Sequence, residues 1–98
     1  MSFVGHRTRK RFGQHWLQDD AVLNKIVAAA ELSNSDRVLE IGPGRGALTE
    51  KLLKSRAELV HCIEVDLDLI AGLKKRFAED SRFTLREGDA LSLSLIHI

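Results

Sequence analysis

The sequence predicts an alternating α/β fold, one half of a doubly wound parallel sheet, on three observations. Strand-like apolar runs alternate with helix-patterned segments between residues 37 and 90. The first run leads straight into a glycine-rich loop and a helix, in the stretch VLEIGPGRGALT at residues 38–49. The next two runs each end in an acid, Glu64 and Asp89.

Taken in order, residues 1–18 show no clean periodicity. A lead-in helix starts at the Asp19–Asp20 pair, which offers an N-cap, and Val22, Leu23, Ile26, Val27 and Ala30 recur at helical spacing through Leu32. The polar cluster SNSD at 33–36 is a turn that ends it. RVLEI at 37–41 reads as a buried strand, and ALTEKLLKSR after Gly46 as a helix with Leu48, Leu52 and Leu53 on one face. The cycle repeats: ELVHCIEV at 58–65 is strand-like, 66–80 sets Leu69, Ile70, Leu73 and Phe77 on one helical face, and FTLREGDA at 83–90 is a third strand. Strand and helix alternating at this pitch argue for parallel βαβ units with right-handed crossovers. The expected organisation is an N-terminal arm at 1–18, a partial domain at 19–90 and a tail at 91–98. A half-sheet of three strands leaves its first strand with an unpaired edge. That edge, and the abrupt change to LSLSLIHI at 91–98, are read as truncation of the fold, with a tail that is not a natural domain end; an alternating exposed strand is the other reading of the tail.

The net charge of +1 conceals an asymmetry. Residues 1–18 contain Arg7, Arg9, Lys10 and Arg11 and no acid, giving +4, while the other eleven Lys and Arg face all fourteen acids, giving −3. A basic arm on a mildly acidic body suits an anionic partner such as nucleic acid; a solvated terminus is the plainer alternative. Cys62 is the only cysteine, which excludes an internal disulfide and a thiolate metal cluster, and its apolar run suits a buried, inert thiol. His6, His61 and His97 lack ligand partners at metal spacing, so no metal site is assigned. No stretch reaches the roughly eighteen apolar residues that span a bilayer, and a cytoplasmic protein without membrane contact is expected.

The glycine loop sits where open α/β sheets bind ligands, at the carboxyl ends of the strands. Gly42 and Gly44 allow a tight turn and a close ligand, and Gly46 lets the following helix pack on the strand. GPGRGA fits the dinucleotide pattern, which by itself is weak evidence. Glu64 lies 22 positions after Gly42, where an acid can accept from both hydroxyls of an adenosine ribose. Asp89 is placed to meet an adenine amino group, or is a turn aspartate; Asp66 reads as a helix cap. Glu40 bears on the choice of ligand. A carboxylate two residues before the loop opposes a pyrophosphate at the helix N-terminus, but favours S-adenosylmethionine, which brings an ammonium and a sulfonium. A pair between Glu40 and Arg37 or Arg45 is the alternative.

KRFGQHWL at 10–17, LEIGPGRGALT at 39–49, IEVD at 63–66 and GDA at 88–90 together resemble successive motifs of the ribosomal RNA adenine N6-dimethyltransferases, within them the small-subunit dimethyladenosine transferases. The resemblance runs from about Arg9 to Ala90. It implies the N-terminal half of a Rossmann-like S-adenosylmethionine-dependent methyltransferase domain. It implies that the segment GQHWL packs over the cofactor, His15 and Leu17 contacting it and Gln14 ordering the loop, with His15 and Trp16 standing where many members have Asn and Phe. Glu40, Gly42 and Gly44 would approach the methionine moiety, Glu64 the ribose, and Asp89 with Ala90 the adenine. Arg7, Arg9, Lys10 and Arg11 would meet rRNA phosphates.

The activity so implied is dimethylation of two adjacent adenines near the 3′ end of 16S rRNA during ribosome biogenesis, by a monomer acting on the immature 30S subunit. The family's catalytic motif, Asn or Asp, any residue, Pro, then an aromatic, is missing: the sole proline is Pro43. No catalytic residue is therefore assigned, and these 98 residues are expected to hold the cofactor half-site without transferring methyl groups alone. The alternatives are an NAD-binding dehydrogenase half-domain and a non-catalytic truncated RNA-binding product.

Overall fold

The computed structural model describes residues 2–5 and 19–89. Four strands, β1 (Ser2–Gly5), β2 (Arg37–Ile41), β3 (Leu59–Glu64) and β4 (Phe83–Glu87), alternate with three helices, α1 (Asp20–Ala30), α2 (Ala47–Lys54) and α3 (Leu67–Arg76). The strands form one parallel sheet in the order β1-β2-β3-β4.

From α1 to β4 the elements match the sequence reading, each differing by a few residues at its ends. The reason is local chemistry. Asp19 caps α1, its Oδ1 accepting from the amides of Ala21 at 2.9 Å and Val22 at 3.3 Å. Asp66 does the same for α3, toward Asp68 at 2.9 Å and Leu69 at 3.3 Å. Lys74, Lys75 and Arg76 in the last turn of α3 complement its dipole. In the 33–36 turn the Asp36 carboxylate accepts from the Ser33 amide at 2.8 Å, which holds its pKa below the ordinary value.

The strand β1 is a departure from the sequence reading, which placed no strand before residue 19 and left β2 with a bare edge. Ser2 to Gly5 pair with Val38 to Ile41 in register. Four residues are too few to display a period, whereas the unpaired amides and carbonyls of β2 are a template for any extended segment. Residues 2–5 thus belong to the sheet rather than to a free arm.

Neighbouring strands in sequence order joined by like-handed crossovers put all three helices on one face. That face is set by the register, which aligns Val38, Val60 and Phe83 in one row and Glu40, Cys62 and Leu85 in the next. Leu23 of α1, Leu48, Leu52 and Leu53 of α2, and Leu73 with Phe77 at the end of α3 close over these rows. Each such Leu, removed from water, contributes about 1.5–3 kcal/mol. Of the expected apolar face of α1 only Leu23 is fully buried, and Ile26 is exposed. Cys62 is buried as expected, and burial with the nearby Glu40 carboxylate pushes its thiol pKa far up, which keeps it unreactive.

Arg82 closes the far end of α2. Its Nη1 donates to the carbonyls of Ser55 and Ala57, both at 3.1 Å, and its Nη2 to that of Leu53. The end of α2 is thereby anchored where β4 begins, and the strands' carboxyl ends lie at the opposite edge of the sheet.

Candidate functional site

Beyond Ile41 the chain leaves β2 through the loop 42–46. The Gly42 amide donates to Ile63 O at 2.9 Å, extending the β2–β3 ladder, and the Gly46 amide donates to Pro43 O at 3.0 Å, closing a tight turn. Gly44 and Gly46 both take left-handed backbone, with φ of 61° and 94°. Their surroundings differ. A Cβ on Gly44 would meet nothing within 4 Å, so this side of the loop is open to a ligand. A Cβ on Gly46 would lie 2.7 Å from Cε2 of Phe77 and 3.1 Å from Cδ2 of Leu73. The sequence reading tied Gly46 to packing of the following helix; the close contacts come instead from Leu73 and Phe77 at the end of α3.

Glu64, the last residue of β3, is only 6% exposed. Its Oε1 accepts from the Gly44 amide at 3.3 Å, and its Oε2 from the amides of Val65 at 2.9 Å and Asp66 at 3.1 Å. The carboxylate therefore joins the glycine loop to the turn between β3 and α3. The Gly88 amide donates to Glu64 O at 2.9 Å, which brings the end of β4 alongside. Asp89, half-buried, follows directly.

Glu40 is wholly buried beneath the loop. Its Oε1 accepts from Thr49 Oγ1 at 2.5 Å, with Cys62 Sγ at 3.7 Å. Arg37, one of the two partners considered for it, pairs instead with Glu58 at 3.0 Å. Thr49 was not singled out in the sequence, because a threonine inside a leucine-rich helix carries no mark of a buried carboxylate opposite.

The structure thus brings Glu40, Gly42, Gly44, Glu64 and Asp89 to one end of the sheet. Gln14, His15, Leu17 and Ala90, and the basic residues Arg7, Arg9, Lys10 and Arg11, lie outside the described residues. Val65, which the sequence reading places in the strand 58–65, lies just past the end of β3 and is 57% exposed, and Leu67 is 67% exposed. They flank Asp66 just beyond Glu64. Among the described residues no group of three or more His, Cys, Asp or Glu could hold a metal ion, and no helix is long and apolar enough to cross a membrane.

Residues 5–97 match the family described as ribosomal RNA adenine dimethylase. The chain belongs to this family. Among curated members, a ribosomal RNA small subunit methyltransferase A of Prochlorococcus marinus is 68% identical over 96 residues, covering 98% of this chain and 34% of its own. That of Parasynechococcus marenigrum is 64% identical over 95 residues, covering 97% and 32%. The chain therefore spans about a third of the length of these family members. A crystal structure of a dimethyladenosine transferase from Plasmodium falciparum superposes with a TM-score of 0.68 at 41% identity, over 74% of this chain and 27% of that one. The α/β half-domain is thus an architecture the family shares, and the glycine loop with its two acids lies within the matched region.

Proposed function

We propose that this chain is the cofactor-binding part of a cytoplasmic, monomeric S-adenosylmethionine-dependent enzyme that dimethylates N6 of two adjacent adenines near the 3′ end of small-subunit rRNA, on the immature 30S particle. The observation that carries the choice of cofactor is the pair of buried carboxylates, Glu40 beneath the glycine loop and Glu64 against it. A pyrophosphate needs outward-pointing amides and positive potential at a helix N-terminus. Here the Gly44 amide is turned toward a carboxylate, and the wholly buried Glu40 carboxylate accepts from Thr49 in the first turn of α2. The same negative potential attracts an ammonium and a sulfonium.

The residues fit the cofactor. Gly44 leaves open space at the loop. Glu64 Oε1 can accept from a ribose hydroxyl beside its Gly44 contact, while the Val65 and Asp66 amides hold its other oxygen. Asp89 would meet the adenine amino group, and the exposed Val65 and Leu67 offer apolar surface for the flat base. Glu40, wholly buried, contributes as charge under the loop rather than by contact. Bound here, S-adenosylmethionine supplies a methyl group activated on its sulfonium. Gln14, His15 and Leu17 would cover it, Ala90 would adjoin the base, and Arg7, Arg9, Lys10 and Arg11 would meet rRNA phosphates. With residues 2–5 in the sheet, 6–18 keep this covering and RNA-binding assignment, 19–90 complete the cofactor half-domain, and 91–98 are assigned no role.

Adenine N6 is a poor nucleophile because its lone pair is delocalised into the ring, so transfer needs groups that position the amino group and hold the base. With Pro43 as its sole proline, this sequence has no Asn-x-Pro-aromatic motif to do so. We infer binding without turnover for the 98 residues. Calorimetric titration tests this: S-adenosylmethionine is expected to bind and NAD not to. Binding of NAD without S-adenosylmethionine would favour the dehydrogenase reading, and methyl transfer to undermethylated small subunits by this chain alone would overturn the separation of binding from catalysis.

A further inference from the structure

The last turn of α3 grips the glycine loop with two consecutive side chains. Arg76 Nη1 donates to Arg45 O at 2.7 Å, and its Nη2 donates to Oε2 of Glu50 on α2. The Arg76 guanidinium carbon also stands 5.1 Å from the centroid of the Phe77 ring. Phe77 is the residue whose ring would collide with a Cβ on Gly46. Residues 76 and 77 thus hold residues 45 and 46 respectively, one through the carbonyl and the other through packing.

The consequence is geometric. The peptide joining Arg45 to Gly46 has its carbonyl fixed by Arg76 and its amide fixed by Pro43 O. The preceding turn has the Gly44 amide fixed by Glu64. Once these directions are set, the open side of Gly44 faces one way only. A planar guanidinium that reaches a carbonyl and a carboxylate together suits this task; an ammonium is a point donor without that fork. An exposed ion pair by itself contributes little to stability, so the value of Arg76 lies in the peptide it orients.

We propose that Arg76 is a positioning residue for ligand binding at the glycine loop, acting through Arg45 O and braced by Glu50. This rests on the loop being the S-adenosylmethionine site. The test uses the 98-residue chain with Arg76→Gln, Arg76→Lys and Glu50→Gln. Titration with S-adenosylmethionine well below the melting temperature gives Kd, circular dichroism gives Tm, and amide hydrogen exchange follows Gly44 and Gly46. Losing one charged hydrogen bond that preorganises a site corresponds to about tenfold in Kd. Arg76→Gln is expected to show that loss and faster exchange at both glycines. Arg76→Lys should fall between it and the parent, and Glu50→Gln, which keeps the bond to Arg45 O, should stay within about twofold. A lowered Tm with unchanged Kd and unchanged exchange would overturn the proposal, leaving Arg76 a structural residue only. If the parent chain does not bind S-adenosylmethionine, the cofactor reading fails separately, and exchange at Gly44 and Gly46 decides whether the loop is held by Arg76.

Discussion

Glu64 and Gly44 lie 20 residues apart in sequence, and their carboxylate and amide meet at 3.3 Å across the end of the sheet. The contact turns a backbone donor of the glycine loop toward a buried carboxylate, so the loop and the acid at the end of β3 form one unit. Glu64→Gln replaces one oxygen by a donor that repels an amide N–H. Charge-assisted hydrogen bonds of this kind contribute about 1.5–3 kcal/mol, so the Kd for S-adenosylmethionine is expected to rise at least about tenfold. Isothermal titration checks it; an unchanged Kd would remove Glu64 from the site.

The two glycines of the loop separate folding from binding. Gly46→Ala combines left-handed strain with a Cβ 2.7 Å from the Phe77 ring and should cost about 2–4 kcal/mol of stability. Gly44→Ala meets no neighbour and should cost about 1–2 kcal/mol from backbone strain, while its methyl occupies the space left for ligand. Urea denaturation with and without S-adenosylmethionine distinguishes them. Gly44→Ala should lose stabilisation by the ligand, and Gly46→Ala should lose intrinsic stability.

Thr49 supplies the 2.5 Å hydrogen bond to the buried Glu40 carboxylate. Thr49→Val keeps the shape and takes this donor away from a buried charged acceptor, at a cost of about 2–3 kcal/mol. Thr49→Ser keeps the hydroxyl and should cost about 1 kcal/mol for the lost methyl. Equal denaturation midpoints for the two variants would show that the hydroxyl is dispensable.

His61 faces away from the helices and shares a 2.5 Å hydrogen bond between Nδ1 and Thr84 Oγ1. Burial, and then the nearby Arg86 charge, lower its pKa from the ordinary 6.5. The unfolded chain therefore takes up a proton first as pH falls. The neutral imidazole contributes stability that is present above about pH 6.5 and is lost as pH drops from there toward the depressed folded value. Thermal melts between about pH 7.5 and 5.5 should show Tm falling, with a flatter profile for His61→Gln; identical slopes would assign the pH dependence elsewhere.

Glu50 is charged in its deprotonated form, where His61 is neutral, yet its lowered pKa acts on stability with the same sign. The hydrogen bond from Lys54, and then that from Arg76, hold its carboxyl below the ordinary 4.5. Its contribution is present above that value and is lost as pH falls through the folded one. Lowering pH below about 4.5 should therefore remove the carboxylate charge that pairs with Lys54 and Arg76 and lower Tm, whereas Glu50→Gln should lack this step.

Much of this molecule is legible in one dimension because the responsible interactions are local. Asp19 and Asp66 cap helices through amides two and three residues on, the leucines of α2 recur at helical spacing, and glycines at 42, 44 and 46 stand between a strand and a helix. The acid at the end of β3 was readable from its place after an apolar run. What only the tertiary structure decided are pairings between residues far apart in sequence. Ser2–Gly5 carry no period yet complete the edge of β2, Phe77 rather than the following helix makes Gly46 necessary, and Arg76 orients a carbonyl 31 residues earlier. Glu40 was visible as an acid beside the loop, but its burial against Thr49 was not. Local patterns arise from backbone geometry and capping, which a short stretch of chain specifies by itself. Partners across the core exist only once packing has brought two strand ends and a helix terminus to the same place.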